Sequence, residues 1–441
     1  MSGEATNTQN MEASYNAQYA ISTVREGYKQ TEEGVIPEDW ELVPLSQTAH
    51  RITRGASPRP IESPAWFDLS SSVGWVRISD LTRSGRFLSE TAQKLSEAGI
   101  RRSRPVSAGS LIMSICATVG RPIETAIDVC IHDGFVVFEQ PKVDQSFLYH
   151  LLVALEPTWS KRGQTGSQMN LNTRVVNGCL VPIPSSKEEQ SAIANMLSEV
   201  DSLLEQLERL IAKKKAIKTA TMQQLLTGRT RLPQFAFRED GKAKGYKVSD
   251  FGKIPEDWKI VELREVSQFI NGRAFALHEW RKSGTPVIRL QNLTGRGEDY
   301  YYSNLQLPEK QYCHKGDLLF MWSATFGPII WNGDKAIFHY HIWKIECKSG
   351  YMENFLYFLL SDMTEKLKSG SSSGGTMLHV TKGTMESTLA AFPGSEEQKA
   401  IAEVLSSMDE EIRSLEERLS KTRDIKQGMM QELLTGKTRL I

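Results

Sequence analysis

The chain has few cysteines and pairs none of them. Cys116, Cys130, Cys179, Cys313 and Cys347 are scattered over 441 residues without a CxxC spacing, so neither a structural zinc site nor a disulfide framework is expected. A reduced, cytoplasmic setting fits that usage. No run of 18 apolar residues occurs, and the polar N-terminus lacks a signal-peptide core, so no membrane-spanning helix is expected. An excess of one charge is missing too: 53 Lys+Arg balance 53 Asp+Glu. A neutral chain is poorly equipped to grip a polyanion unaided, because phosphate contacts dominate such affinity. Catalytic signatures are also absent. There is no GxxxxGK(S/T) phosphate loop, no HExxH helix, and no Asn-Pro-Pro-aromatic motif for holding a flipped adenine. The Gly/Ser run 370–375 is glycine-rich, but it follows a helical pattern rather than a strand, and reads as a loop.

What the chain does have, it has twice. Glu188–Leu232 and Glu396–Leu440 align without a gap at an offset of 208, with 23 of 45 positions identical. Gly27–Trp40 (GYKQTEEGVIPEDW) and Gly245–Trp258 (GYKVSDFGKIPEDW) pair at an offset of 218. Two copies of one unit, head to tail, predict a pseudo-two-fold internal repeat with two equivalent sites.

The first pair of repeats predicts two long helices. Ile193, Leu197, Val200, Leu204, Leu207 and Ile211 are spaced 4, 3, 4, 3, 4, and Ile401, Leu405, Met408, Ile412, Leu415 and Leu419 keep that spacing. This is a heptad seam, buried when helices pair. The seam loosens at Lys213–Lys215 and resumes with Ile217, Met222, Leu225 and Leu226. Gly228 and Gly436 are placed as C-terminal caps. Two matched seams on one chain predict an antiparallel coiled coil.

Between these repeats lie two variable segments with landmarks in the same order. Arg77 falls on Arg289, Ala117-Thr118-Val119-Gly120 on Ala324-Thr325-Phe326-Gly327, and His132 on His339. The runs 111–115, 318–322, 135–138 and 342–345 read as strands, and the stretches from Phe147 and Phe355 as helices. The expected division is a flexible N-terminal arm (1–26), a mixed α/β domain (27–187), the first helix (188–232), a linker (233–244), a second mixed domain (245–395) and the second helix (396–441). The fold class is α+β. The first domain carries 16 Lys/Arg against 12 Asp/Glu over 41–187, and the second 15 against 13 over 259–395, a slight basic bias in each.

With this layout in view, the chain resembles the specificity subunit of type I restriction–modification systems. The resemblance rests on the GYK…G.IP.DW motifs, the EEQ.AIA…L helices and the polar run Gly163–Leu171, and covers nearly the whole chain beyond the arm. The second counterpart of the polar run, Gly370–Met377, lacks its Gln and Asn. The resemblance implies two target recognition domains, each reading half of a split double-stranded DNA sequence. The helices would separate the domains and dock two methyltransferase (modification) subunits, which restriction endonuclease/translocase subunits would join. No cofactor is then expected on this chain; S-adenosylmethionine, ATP and Mg would belong to the partners.

Base edges are read by Arg, Lys, Asn, Gln, Ser and Thr, and phosphates by cations and hydroxyls. The candidates in the first domain are Arg51, Arg54, Arg77, Arg83, Arg101, Arg102 and Arg104, with Gln164, Ser167, Gln168, Asn170 and Asn172. In the second they are Arg273, Arg281, Lys282, Arg289, Gln291, Asn292, Arg296, Lys366, Lys368 and Lys382. Each is weighed against a solvated surface charge or a side chain that pairs with a carboxylate. Trp66, Trp75, Trp322 and Trp331 read as core, and His132 and His339 as core or hydrogen-bonding groups. Two rival readings stay open on sequence alone. One is a duplicated coiled-coil scaffold that touches no nucleic acid; the other is an enzyme whose site assembles from carboxylates of both halves.

Overall fold

The computed structural model describes residues 24–159, 171–297, 299–323, 325–370 and 380–441. The N-terminal arm up to residue 23 and most of the polar run 163–171 lie outside these. The chain forms two compact units, one of residues up to Leu207 with Arg418–Ile441, the other of Glu208–Glu417. Among the described residues no helix is long and apolar enough to cross a membrane.

The units repeat one sheet plan. In the first, strands Ala49–Arg54, Phe135–Pro141, Leu111–Ser114 and Pro122–Thr125 lie side by side, extended by Phe87–Leu88. In the second the same order is Ser267–Asn271, Ile342–Cys347, Leu318–Ser323 and Thr325–Ile330. A second sheet repeats in the same way: Gln93–Lys94, Gly74–Val76, Val129–Ile131 and Arg104–Val106 correspond to Tyr301–Ser303, Thr285–Ile288, Ala336–Phe338 and Tyr312–Cys313. Helices Gln145–Leu155 and Glu353–Gly370 cover the first sheets with Phe147, Leu148 and Leu152, or Phe355, Leu356 and Leu360, all buried. The expected strands and helices of both variable segments are therefore present.

The repeated motifs explain one another. Each GYK…IP.DW segment forms a hairpin, Tyr28–Thr31 with Gly34–Pro37 and Tyr246–Ser249 with Gly252–Pro255, then buries its tryptophan. An isolated two-stranded hairpin is marginal in water. Contacts to the long helices tie these two down. Trp40 Nε1 donates to Glu189 (3.1 Å), and Trp258 Nε1 donates to Glu397 (3.2 Å), each at the start of a long helix. The next residue is a staple: Gln190 accepts from Asp144 N–H and donates to Pro184 O, while Gln398 accepts from Met352 N–H and donates to Pro393 O.

The third party is the TRL tail of the opposite helix. In the first unit Arg439 pairs with Glu189 and Asp39. In the second, Arg231 pairs with Glu397 (Nε to Oε1, 2.9 Å) and Asp257 (2.9 Å). Gly436 and Gly228, at φ +71° and +67°, let the chain turn there. A Cβ would lie 2.4 Å from Pro37 or Pro255, so glycine is required at both.

The long helices run Lys187–Leu225 and Ser395–Leu433, and each contributes to both units. In the first unit Lys426 pairs with Asp201 at 2.5 Å. In the second, Lys214 meets Glu411 (2.6 Å), Lys215 meets Glu416 (2.7 Å) and Lys218 meets Asp409. These ion pairs join one long helix to the other within each unit. Ile193, Leu197, Leu207, Ile211, Ile401, Leu405 and Ile412 are buried; Val200, Leu204, Met408, Leu415 and Leu419 are half-buried. The stripe does not resume at Ile217. That residue is exposed, as is its counterpart Ile425, while Met222, Leu225 and Leu226 do turn inward.

One glycine pair fixes the domain frame. A Cβ on Gly55 would lie 2.1 Å from His132 O, and one on Gly272 2.2 Å from His339 O. The backbone there passes so close to the neighbouring turn that no other residue fits. Gly272→Ala is expected to cost about 1–3 kcal/mol through overpacking. Thermal unfolding checks this, and an unchanged melting temperature would refute it.

Candidate nucleic-acid interface

Around each glycine the same groups converge. The turn His132-Asp133-Gly134 joins Val129–Ile131 to Phe135–Pro141, and His339-Tyr340-His341 joins Ala336–Phe338 to Ile342–Cys347. His132 Nδ1 accepts from Gly134 N–H at 2.9 Å, which leaves the other ring nitrogen to carry the proton of the neutral form. Burial lowers the His132 pKa, with Arg77 and Arg54 acting the same way and Asp133 opposing. His339 is pushed down to about 4 by burial, with His341 and Arg289 adding to it. Both imidazoles are therefore neutral near pH 7. The Asp133 carboxyl is held below its usual range, first by the Ser57 hydroxyl that donates to it at 2.5 Å.

Arg77 and Arg289 occupy one structural position. Each precedes a short helix, Ile78–Arg83 or Leu290–Leu293, and its N–H donates to the residue three ahead, Asp80 or Asn292, at 2.9 Å. The backbone thus uses the motif as a helix cap and leaves the guanidinium to the surface of the sheet. Arg77 donates to Gln93 (2.9 Å) and lies 5.6 Å from the Trp75 ring; Arg289 lies 5.0 Å from the Tyr301 ring. Arg54 joins the first cluster by donating to Asp133 O at 2.5 Å. Arg104, 3.7 Å from Glu139, lies on the strand beside Val129–Ile131, and exposed Arg51 is in register with Glu139. Arg273 bridges to His339 through its backbone, and its side chain is held by both oxygens of Glu279 (3.0 and 2.6 Å).

The remaining candidates are placed apart from these clusters or have other work. Arg83 pairs with Asp80, and Arg101 with Glu97 in its own helix. Arg102 lies 5.8 Å from the Trp66 ring. Asn172 caps the helix Thr173–Gly178 by accepting from Val175 N–H, and Asn292 also donates to Gly297 O and Asp299 O, so both have structural tasks. Arg281 donates to His278 O and Trp280 O, while Lys282 and Arg296 are exposed and Gln291 is half-buried. Lys366, Lys368 and Lys382 each pair with a carboxylate of their own helix: Asp362, Glu365 and Glu386. Gln164, Ser167, Gln168 and Asn170 lie outside the described residues.

The aromatic residues divide. Trp75 and Trp331 are buried, but Trp66 and Trp322 are half-buried, and Trp322 Nε1 donates to Tyr340 O at 2.8 Å. Sequence reasoning passed over Trp280 and Tyr340, which flank His339, and Tyr301, which packs on Trp280. The matched histidines could have pointed to them. All five cysteines are free thiols, and among the described residues no group of three or more His, Cys, Asp or Glu is arranged to hold a metal.

Comparisons with known proteins agree with this duplicated plan. The family of type I restriction modification DNA specificity domains matches residues 37–218 and again 255–422. A Methanocaldococcus jannaschii chain described as the putative type I restriction enzyme MjaX specificity subunit is 25% identical over 434 residues, covering 94% of this chain and 97% of its own length. The Escherichia coli EcoBI specificity subunit is 29% identical over 186 residues, 42% of this chain and 39% of that protein. Among solved structures, the M. genitalium S subunit superposes with a TM-score of 0.56 at 13% identity, covering 92% of this chain and 98% of that one. The chain belongs to the type I restriction–modification DNA specificity family and carries its domain twice.

Proposed function

We propose that the chain is a non-catalytic specificity subunit that reads a two-part sequence in double-stranded DNA, one half with each unit. The observation that carries this reading is the duplicated cluster: Gly55, His132 and Arg77 in one unit, Gly272, His339 and Arg289 in the other. Two copies of one frame with different surrounding side chains suit a pair of readers for different half-sites. Half-sites can be read together only at a fixed separation and rotation about the duplex. The long helices, paired as an antiparallel coiled coil, would set that spacing, because their length cannot drift without breaking their packing.

The same helices would dock two methyltransferase subunits. Met196 and Val404, and Ile217 and Ile425, are exposed apolar residues at an offset of 208, so each unit offers an equivalent pair. S-adenosylmethionine, ATP and Mg would act on those subunits and on the endonuclease subunits that join them, in the cytoplasm.

Co-purifying the chain with its methyltransferase and mapping the modified adenines in genomic DNA tests the reading. A split recognition sequence is expected. Binding should also weaken as salt rises. Methylation without sequence preference, or a complex indifferent to DNA, would favour a scaffold instead. Inserting whole helical turns near residues 220–230 is expected to change the tolerated gap between half-sites but not the bases read. Selection from a random DNA library checks this, and an unchanged gap would defeat the ruler.

A further inference from the structure

We propose that the second unit carries an aromatic surface, ending in Tyr340 and Tyr301, that stacks on DNA bases, and that the matched turn of the first unit reads its half-site without one. This rests on the specificity-subunit reading. A ladder of rings leads outward from the core of the second unit. Buried Phe320 and Trp343 stack at 5.8 Å, and Trp343 stacks on half-buried Trp322 at 5.8 Å. Beyond them lie His341, 3.8 Å from Tyr340, and Tyr340, 4.6 Å from His339. A second arm runs from His339 to Trp280 (6.5 Å) and on to Tyr301 (4.9 Å).

Both arms end in solvent: Tyr340 is 40% exposed and Tyr301 43%. Leaving two such rings partly in water forgoes burial energy. Cations stand beside the second arm, with Arg289 5.0 Å from the Tyr301 ring and Arg273 4.8 Å from that of Phe275, which stacks on Trp280. Aromatic faces beside arginines are the combination that holds unstacked bases.

The matched turn of the first unit keeps the frame and drops the exposed rings; Trp75 and Phe135, which pack on His132, are buried. At an offset of 207, Asp133 stands for Tyr340, Gly134 for His341 and Ile115 for Trp322. Its matched turn offers a carboxylate instead, which accepts from cytosine N4 and stacks on nothing. In a duplex the base faces are covered by their neighbours, so a tyrosine reaches one only at a step that opens. The second half-site is then read partly by how readily that step unstacks. The ladder fixes both rings beforehand, which lowers the ordering cost of contact.

The test uses the chain in complex with its methyltransferase, on duplexes carrying 2-aminopurine at successive positions away from the methylated adenine. The wild type is expected to brighten the probe at one step of a single half-site. Tyr340→Leu should abolish that signal and weaken binding roughly tenfold, as loss of one stacked ring does, with the salt slope unchanged. Tyr340→Phe should keep both signal and affinity, and Arg289→Ala should lower the salt slope. An unchanged melting temperature in each variant shows that the fold survives. Equal binding and brightness in Tyr340→Leu would overturn the proposal. So would loss in Tyr340→Phe, which would make the hydroxyl and not the ring the contact. Absence of sequence-selective binding by the wild-type complex would overturn the specificity reading itself, and the proposal with it.

Discussion

Glu397→Ala is expected to destabilise the second unit by about 3–5 kcal/mol, as does removing one partner of a buried ion pair. Glu397 and Arg231 are each 4% exposed at their side chains, so water cannot replace the lost contact. The guanidinium would keep only Asp257 (Nη1 to Oδ1 2.9 Å, Nη2 to Oδ2 3.0 Å). The Trp258 indole N–H, buried and bonded to the same carboxylate, would lose its acceptor as well. The matched change in the first unit, Glu189→Ala, should cost less, about 1–2 kcal/mol, because the Arg439 side chain is 31% exposed and can be rehydrated. The two carboxylates thus hold the same place in the repeat but differ in the solvent reaching their arginines. Replacing Arg231 and Glu397 together by Met and Leu should recover most of the loss, since the apolar pair leaves no uncompensated charge. Urea denaturation of the full chain, with amide exchange at the start of the second long helix, measures these values. A loss below about 1 kcal/mol for Glu397→Ala, or equal losses at both sites, would refute the account.

The duplication, the long helices and the strand and helix pattern of both domains were legible in the sequence, because each is written in local periodicity or direct repetition. The role of the repeated motifs was not. EEQ, DW and TRL recur in fixed order, which gives no sign that the TRL of one helix closes on the EEQ that begins the other. Arg231 meets Glu397 across 166 positions, and Arg439 meets Glu189 across 250. Only tertiary structure brings such pairs together.

The candidate site was half legible. Arg77 and Arg289 stand out as matched, and both reach the cluster. A positive charge by itself says nothing about its partner, so Arg83, Arg101, Lys366, Lys368 and Lys382 could not be told from ion-paired surface residues. Asn172 and Asn292 have the chemistry of base contacts, but the same short amide caps helices and closes turns. Ile217 fits the apolar spacing yet faces solvent, since a heptad pattern records which residues could be buried and not where the partner helix lies. Tyr340 was hidden because its counterpart is Asp133: searching for likeness between the copies passes over the positions where readers of different half-sites must differ.

The same comparison between copies predicts how the first unit responds to acid. His150, on the helix Gln145–Leu155, is fully buried; its Nε2 lies 3.1 Å from Ser198 Oγ, and its Nδ1 is without a hydrogen-bond partner, 3.9 Å from Asp201. Burial pushes its pKa down to about 3, and the positive charges of Arg86 and Lys426 add to the shift. A histidine whose folded pKa lies below its unfolded value of 6.5 binds its proton mainly in the unfolded chain. Stability is therefore intact above pH 6.5 and falls as the pH drops toward 3, at up to about 1.4 kcal/mol per unit.

Between pH 6.5 and 4.5 this amounts to about 2–3 kcal/mol. The carboxylates Asp39 and Asp257, both held below 3.8, add their loss only at lower pH. The second copy shows the apolar alternative at this position, while its own His339, at about 4, adds an acid loss over the same range. Phe358 occupies the equivalent position, 5.5 Å from Lys218, which pairs with Asp409 as Lys426 does with Asp201. His150→Phe should remove this loss from the first unit, leaving the slopes of its other shifted groups, among them His132, whose pKa is lowered, and Glu156, whose raised pKa acts in the opposite sense. Denaturation of wild type and variant at intervals from pH 7.5 to 4.5 checks the difference. Parallel curves across that range would show that His150 takes up its proton as readily in the folded unit as in the unfolded chain, and would rule out the buried neutral imidazole.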